Sequence, residues 1–80
     1  MINSKRTLDM LEIDKYAKIE KIECSETIRR RLYDLGLIDG TKIKALYKSP
    51  FGDPSAYLIK GAVIALRHDD TKHITILDVN

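Results

Sequence analysis

The sequence predicts a β-rich α+β fold: a small, strongly bent, mostly antiparallel barrel of five to six strands, with one short α-helix between the first strand and the second. Three observations predict it. Short β-prone stretches recur along the chain with turn residues between them. One stretch carries a full set of helix signals, from a capping residue through an apolar stripe to a stop. The chain has 80 residues, which suffices for one core in one domain over 1–80 but leaves little depth to spare, because a chain this size buries only about 60–65% of its unfolded surface.

The helix is the best-determined element. Ser25 offers an N-cap hydroxyl, Glu26 places an acid in the first turn, and Ile28, Leu32 and Leu35 recur at helical spacing over 26–35. Gly36 stands where a left-handed residue is wanted after the last turn, and Leu37 behind it is placed to pack back on Leu32, as in a Schellman cap. Asp39 and Gly40 form a turn dipeptide, and from Thr41 onward the pattern changes to alternation.

The remaining elements follow in order. Residues 1–6 are polar and read as a flexible N-terminus, and 7–11 as a short helical turn that sets Leu8 and Leu11 on the core. Over 17–23, Ala17 and Ile19 alternate but Ile22 falls one place out of phase, which predicts a β-bulge. In 41–48, Ile43, Ala45 and Tyr47 are expected on one face and Lys42, Lys44 and Lys48 on the other. Both prolines fall in 49–55, which must be a loop, with Phe51 at its tip. Stretches 56–60 and 62–66 flank Gly61, a bend in one strand or a corner between two; 67–72 is a polar connection with room for one helical turn, and 73–79 is a closing strand. The expected core is Leu8, Leu11, Ile19, Ile28, Leu32, Leu35, Ile43, Leu58, Ile64, Leu66, Ile74 and Ile76.

A reaction chamber carved out of so small a core would remove the core itself, so binding or regulation is the default over catalysis. Fourteen basic and twelve acidic residues leave a net charge of +2, and they are interspersed rather than clustered, which argues against a nucleic-acid partner. Cys24 is the single cysteine, so no internal disulfide forms and a reducing, cytoplasmic setting is expected. No apolar run is long enough to enter a bilayer. The sequence has no phosphate-binding glycine loop, no serine elbow and no zinc-protease helix. Cys24 precedes a helix N-terminus, which mildly favours a thiolate, but a cysteine beside an N-cap is more often a small packed residue.

Two groups of residues remain as candidate sites. His68, Asp69 and His73 bring the two histidines and an oxygen donor into one short stretch, the donor set a divalent transition metal such as iron or zinc would use; Lys72 between them opposes a cation. Arg30, Tyr33, Lys42, Lys44, Tyr47 and Phe51 are the partner-binding candidates: basic groups on the helix and the following strand would meet an acidic or phosphorylated surface, and an exposed aromatic at a loop tip would anchor it. A weak homodimer through an uncapped strand edge also fits the expected fold.

The order Arg-Leu-Tyr-Asp-Leu-Gly-Leu-Ile-Asp-Gly-Thr at 31–41, Ser-Pro-Phe-Gly-Asp-Pro at 49–54 with Tyr57, Ile-Lys-Gly-Ala-Val-Ile-Ala-Leu-Arg at 59–67 and His-Ile-Thr-Ile at 73–76 resembles the FeoA family. The match runs from about Thr7 to Leu77; the residues before Thr7 are a departure from it. The resemblance implies a Src-homology-3-like (SH3-like) barrel, without enzymatic activity or a resident cofactor, that serves bacterial ferrous iron transport. It further implies a cytosolic role on the GTPase domain of a FeoB-type membrane transporter, and a family-level association with transition metals. The alternative it implies is a detached metal- or peptide-sensing domain of the diphtheria-toxin-repressor type, since that fold closes those repressors. Arg31, Leu32, Leu35, Gly36, Gly40, Pro50, Gly52, Asp53, Pro54, Gly61, Leu66 and Arg67 are the positions that carry the family pattern, and most of them read as architectural.

Overall fold

Six strands and two short helices account for most of residues 6–79, which the computed structural model describes. Strand β1 is Arg6–Thr7, followed by a 3-10 turn at Leu8–Met10; β2 is Tyr16–Ile22, α1 Glu26–Asp34, β3 Lys42–Lys48, β4 Ser55–Ile59, β5 Ala62–Leu66, α2 His68–Thr71 and β6 Ile74–Val79. All pairings are antiparallel, in the order β1-β6-β2-β3-β4-β5. The two-residue β1 moves α1 to between the second and third strands, one place later than expected. It also leaves the sheet open: among the described residues no pairing joins β1 to β5, because two residues offer too short a ladder to close a barrel. The flexible segment expected over 1–6 lies, for residues 1–5, outside the described residues. Arg6 is held in β1 and its guanidinium donates to Asp78 at 2.6 Å and to the Met10 carbonyl at 3.1 Å.

The helix forms as its local signals require. The Ser25 hydroxyl accepts the Ile28 N–H at 3.3 Å. At the other end the Leu37 N–H reaches back to the Leu32 carbonyl at 3.0 Å and the Gly36 N–H to the Tyr33 carbonyl at 2.9 Å, the paired bonds of a Schellman motif. Gly36 has φ +96, a conformation that an L side chain resists. This reversal corrects the expected core at one place: Leu37 is fully buried while Leu35, expected inside, is 41% exposed at the helix rim. Ile28 is half-buried against the core and Leu32 is at its centre.

The predicted bulge in β2 is present, with a register shift against β6 between Ile19 and Lys21 that returns Ile22 to the buried face. A second shift, unannounced by the sequence, falls between Ala45 and Tyr47 of β3, opposite Tyr57 and Ala56 of β4. The extra residue Leu46 rotates Tyr47 out of the row of Ile43 and Ala45, so Tyr47 is exposed rather than inward. Leu58, also expected inside, is half-buried and stands opposite Lys44, while its neighbour Ile59 stands opposite Ile43 in the core. Residues 56–59 are all apolar, so alternation there does not say which face is inward.

Gly61 resolves as a corner. Ile59 pairs with Ala62, leaving Lys60 and Gly61 as a two-residue turn with φ +50 and +82, the signs that a type I′ hairpin requires. Cys24 is half-buried against the core as a free thiol.

Candidate partner-binding surface

The outer face of the sheet is set by register. Tyr16 of β2 stands opposite Lys44 of β3, which stands opposite Leu58 of β4; Lys18 of β2 stands opposite Lys42. Residues directly opposite one another share a face, and the neighbouring row of Ala17, Ile43 and Ile59 is buried in the core. The first set therefore faces out. The ammonium of Lys42 lies 4.6 Å and that of Lys44 5.3 Å from the Tyr16 ring centroid, within cation–π range. Lys60 in the corner turn completes the rim of an open hollow of about 340 Å³ whose walls include Tyr16, Ile43 and Leu58.

A second hollow, of about 380 Å³, lies on the outer side of α1 and is lined by both signs of charge: Glu26, Arg29, Arg30, Tyr33 and Asp34. Arg30 is engaged there with Glu26 at 3.4 Å. The six partner-binding candidates thus separate. Lys42 and Lys44 meet in the first hollow, Arg30 and Tyr33 in the second, and neither hollow includes Tyr47 or Phe51, although Phe51 is 95% exposed at its loop tip. Tyr16, Lys18, Leu58 and Lys60 were missed. For Tyr16, Lys18 and Leu58 the only signal is strand register, which pairs residues 14 to 28 positions apart.

The metal candidates are drawn into other bonds. The Nε2 of His68 lies 3.0 Å from the Asp9 carboxylate, which also accepts from the Thr7 hydroxyl. Asp69 faces Lys72 at 3.6 Å, and His73 is half-buried beside β6 with its carbonyl accepting the Glu23 N–H. Among the described residues no three His, Cys, Asp or Glu side chains converge as a metal would need. Instead this end of the molecule is a structural knot. The Asp53 carboxylate accepts the His68 N–H at 2.8 Å and Arg31 donates to the largely buried Asp70 at 2.6 Å. Burial pushes the Tyr57 hydroxyl above the ordinary tyrosine range, with the Asp9 and Asp53 carboxylates adding to it and the Ser55 and Thr71 hydroxyls partly offsetting it.

Comparison with known proteins places this arrangement. The model of the FeoA domain matches residues 6–77. The chain belongs to the FeoA family. That family is linked to ferrous iron transport. FeoA protein from Chlorobium tepidum is 31% identical, with 94% of this chain and 71% of that chain covered and a TM-score of 0.87. The zinc complex of FeoA from Stenotrophomonas maltophilia, described as a procaryotic SH3-domain protein and a candidate activating factor of ferrous iron transport, is 26% identical over 90% of this chain and 89% of that one, with a TM-score of 0.77. The FeoA fold seen here is therefore SH3-like, with its sheet open. A manganese-dependent transcriptional repressor complexed with manganese, 14% identical, shares the fold over 99% of this chain and 39% of that one, with a TM-score of 0.86. None of the curated proteins matches the chain. No helix among the described residues is long and apolar enough to cross a membrane.

Proposed function

We propose that this FeoA protein is a non-enzymatic accessory subunit of ferrous iron transport that acts in the cytoplasm by binding the GTPase domain of a FeoB-type membrane transporter. The family match over residues 6–77 carries the reading. The geometry supports it: basic and aromatic side chains are presented outward on the sheet, and Tyr57, whose hydroxyl is pushed above the ordinary range, is buried in a structural knot rather than in a cleft. Iron is the cargo of the partner in this reading, not a ligand of the chain. The test is titration of the isolated transporter GTPase domain with this protein, together with ferrous uptake in cells lacking it. Saturable binding and restored uptake are expected; no binding in either nucleotide state would overturn the proposal.

The zinc complex of the Stenotrophomonas relative favours a second reading, a metal-responsive domain of the repressor type. In this chain His68, Asp69 and His73 would have to supply the donors, and the ion pairs of His68 with Asp9 and Asp69 with Lys72 would have to break first. Calorimetry with zinc on the native chain and on the His68→Ala/His73→Ala variant separates the two readings. Site-specific heat lost in the variant would favour the metal-responsive one.

A further inference from the structure

The lysines of the outer sheet face are arranged at a cost to the fold. Lys18 and Lys42 stand directly opposite one another on β2 and β3, and like charges in that relation repel. Lys44 is the next outward residue along β3, and Lys60 rims the same hollow. Some basic side chains elsewhere meet acids: Arg6 with Asp78, Lys21 with Glu23, Arg30 with Glu26, Lys72 with Asp69. Others among the described residues, such as Lys15, Arg29, Lys48 and Arg67, meet none, but they lie outside this hollow. Among the described residues Lys18, Lys42, Lys44 and Lys60 have no carboxylate partner, and no carboxylate lines the hollow between them. Three cations rim the depression and Lys18 stands beside them, a surface whose complement is anionic at its edge and apolar at its centre.

We infer that this face of β2, β3 and β4 binds an acidic peptide segment of a partner protein, carboxylates on the lysines and one apolar side chain in the hollow against the half-buried Leu58. The inference rests on the docking role proposed above and assigns that role a surface. A hollow of about 340 Å³ suits one or two side chains rather than a folded ligand. The ring of Tyr16 already carries Lys42 and Lys44 over it, so it is not free to stack on a nucleic-acid base, which single-strand binders require.

The experiment is a titration of the isotope-labelled protein, followed by amide chemical shifts, with a short synthetic peptide rich in Asp and Glu around one Leu. The same peptide with Asn and Gln in place of the acids, oligothymidylate, and phosphatidylserine vesicles are the comparison ligands. Shifts centred on Lys18, Lys42, Lys44, Leu58 and Lys60 are expected for the acidic peptide, with affinity falling at least about tenfold in Lys42→Glu/Lys44→Glu and in the milder Lys42→Gln/Lys44→Gln. Circular dichroism verifies that both variants fold. Shifts centred on α1, affinity unchanged by either double variant, equal binding of the amide peptide, or preference for the oligonucleotide or vesicles would each overturn the inference. Titration of the transporter GTPase domain separates the two proposals: if it binds the double variants as tightly as the native chain, the face is wrong and the docking role stands. If the acidic peptide binds as expected and the GTPase domain does not bind at all, the transporter reading fails alone.

Discussion

The guanidinium of Arg31 donates to the carboxylate of Asp70 at 2.6 Å, joining α1 to α2 across 39 positions of sequence. The Asp70 side chain is only 13% exposed while that of Arg31 is 59% exposed, so the two ends of the pair are unequal. Removing the arginine leaves a mostly buried carboxylate without its cation. Arg31→Ala is expected to destabilise the protein by about 1–2 kcal/mol, and Asp70→Asn by less, since the amide keeps an acceptor for the arginine. Urea unfolding of both variants checks the order.

The carboxylate of Asp53 caps a helix it does not belong to. Arg67, the residue before α2, makes no side-chain cap, and the His68 N–H is taken instead by Asp53 Oδ1 at 2.8 Å, from a loop 15 residues upstream. Asp53→Ala is expected to cost about 1 kcal/mol, the usual worth of a lost cap. Amide hydrogen exchange at residues 68–71 should rise more than at the centre of β2, and equal protection would show that the cap is not used.

Gly36 stops α1 with φ +96, and a Cβ added there meets nothing nearer than Ile59 Cγ2 at 3.8 Å. Space for the Cβ is therefore available, and the cost begins with backbone strain. Gly36→Val is expected to lose more than about 1 kcal/mol. An unchanged melting temperature would contradict the left-handed cap.

Tyr57 makes stability fall at alkaline pH. Its folded-state pKa lies above the ordinary tyrosine value of 10.0 because burial disfavours the phenolate. Below pH 10 both the folded and unfolded states hold the proton and the contribution is complete; above it the unfolded state ionises first and stability declines up to the folded pKa. Urea midpoints measured as pH rises through and above 10 should drop more steeply for the native chain than for Tyr57→Phe. Parallel curves would place the loss in other groups.

Legibility followed the range of the interaction. The bulge in β2 was readable because Ile22 breaks the alternation that Ala17 and Ile19 begin. The bulge at Leu46 was not, because Ile43, Ala45 and Tyr47 alternate without a break, and only the pairing with β4 ejects Tyr47. Leu35 was placed in the core on a helical period that Gly36 then cut short, giving the position to Leu37. Lys42 and Lys44 were recognised as outward residues, but not their neighbours Tyr16, Lys18 and Lys60.

The chain on its own settled what depends on residues within a turn of one another: the Ser25 cap, the Gly36 stop, and the run of motifs that marks the family. Folding in three dimensions decided the open sheet, the Arg31–Asp70 tie, the Asp53 cap and the setting of Lys42 and Lys44 over Tyr16. Caps and stops are made by bonds between near neighbours, so their residue types are written side by side. A shared sheet face is made by register between distant strands, and any one strand's pattern is compatible with several registers.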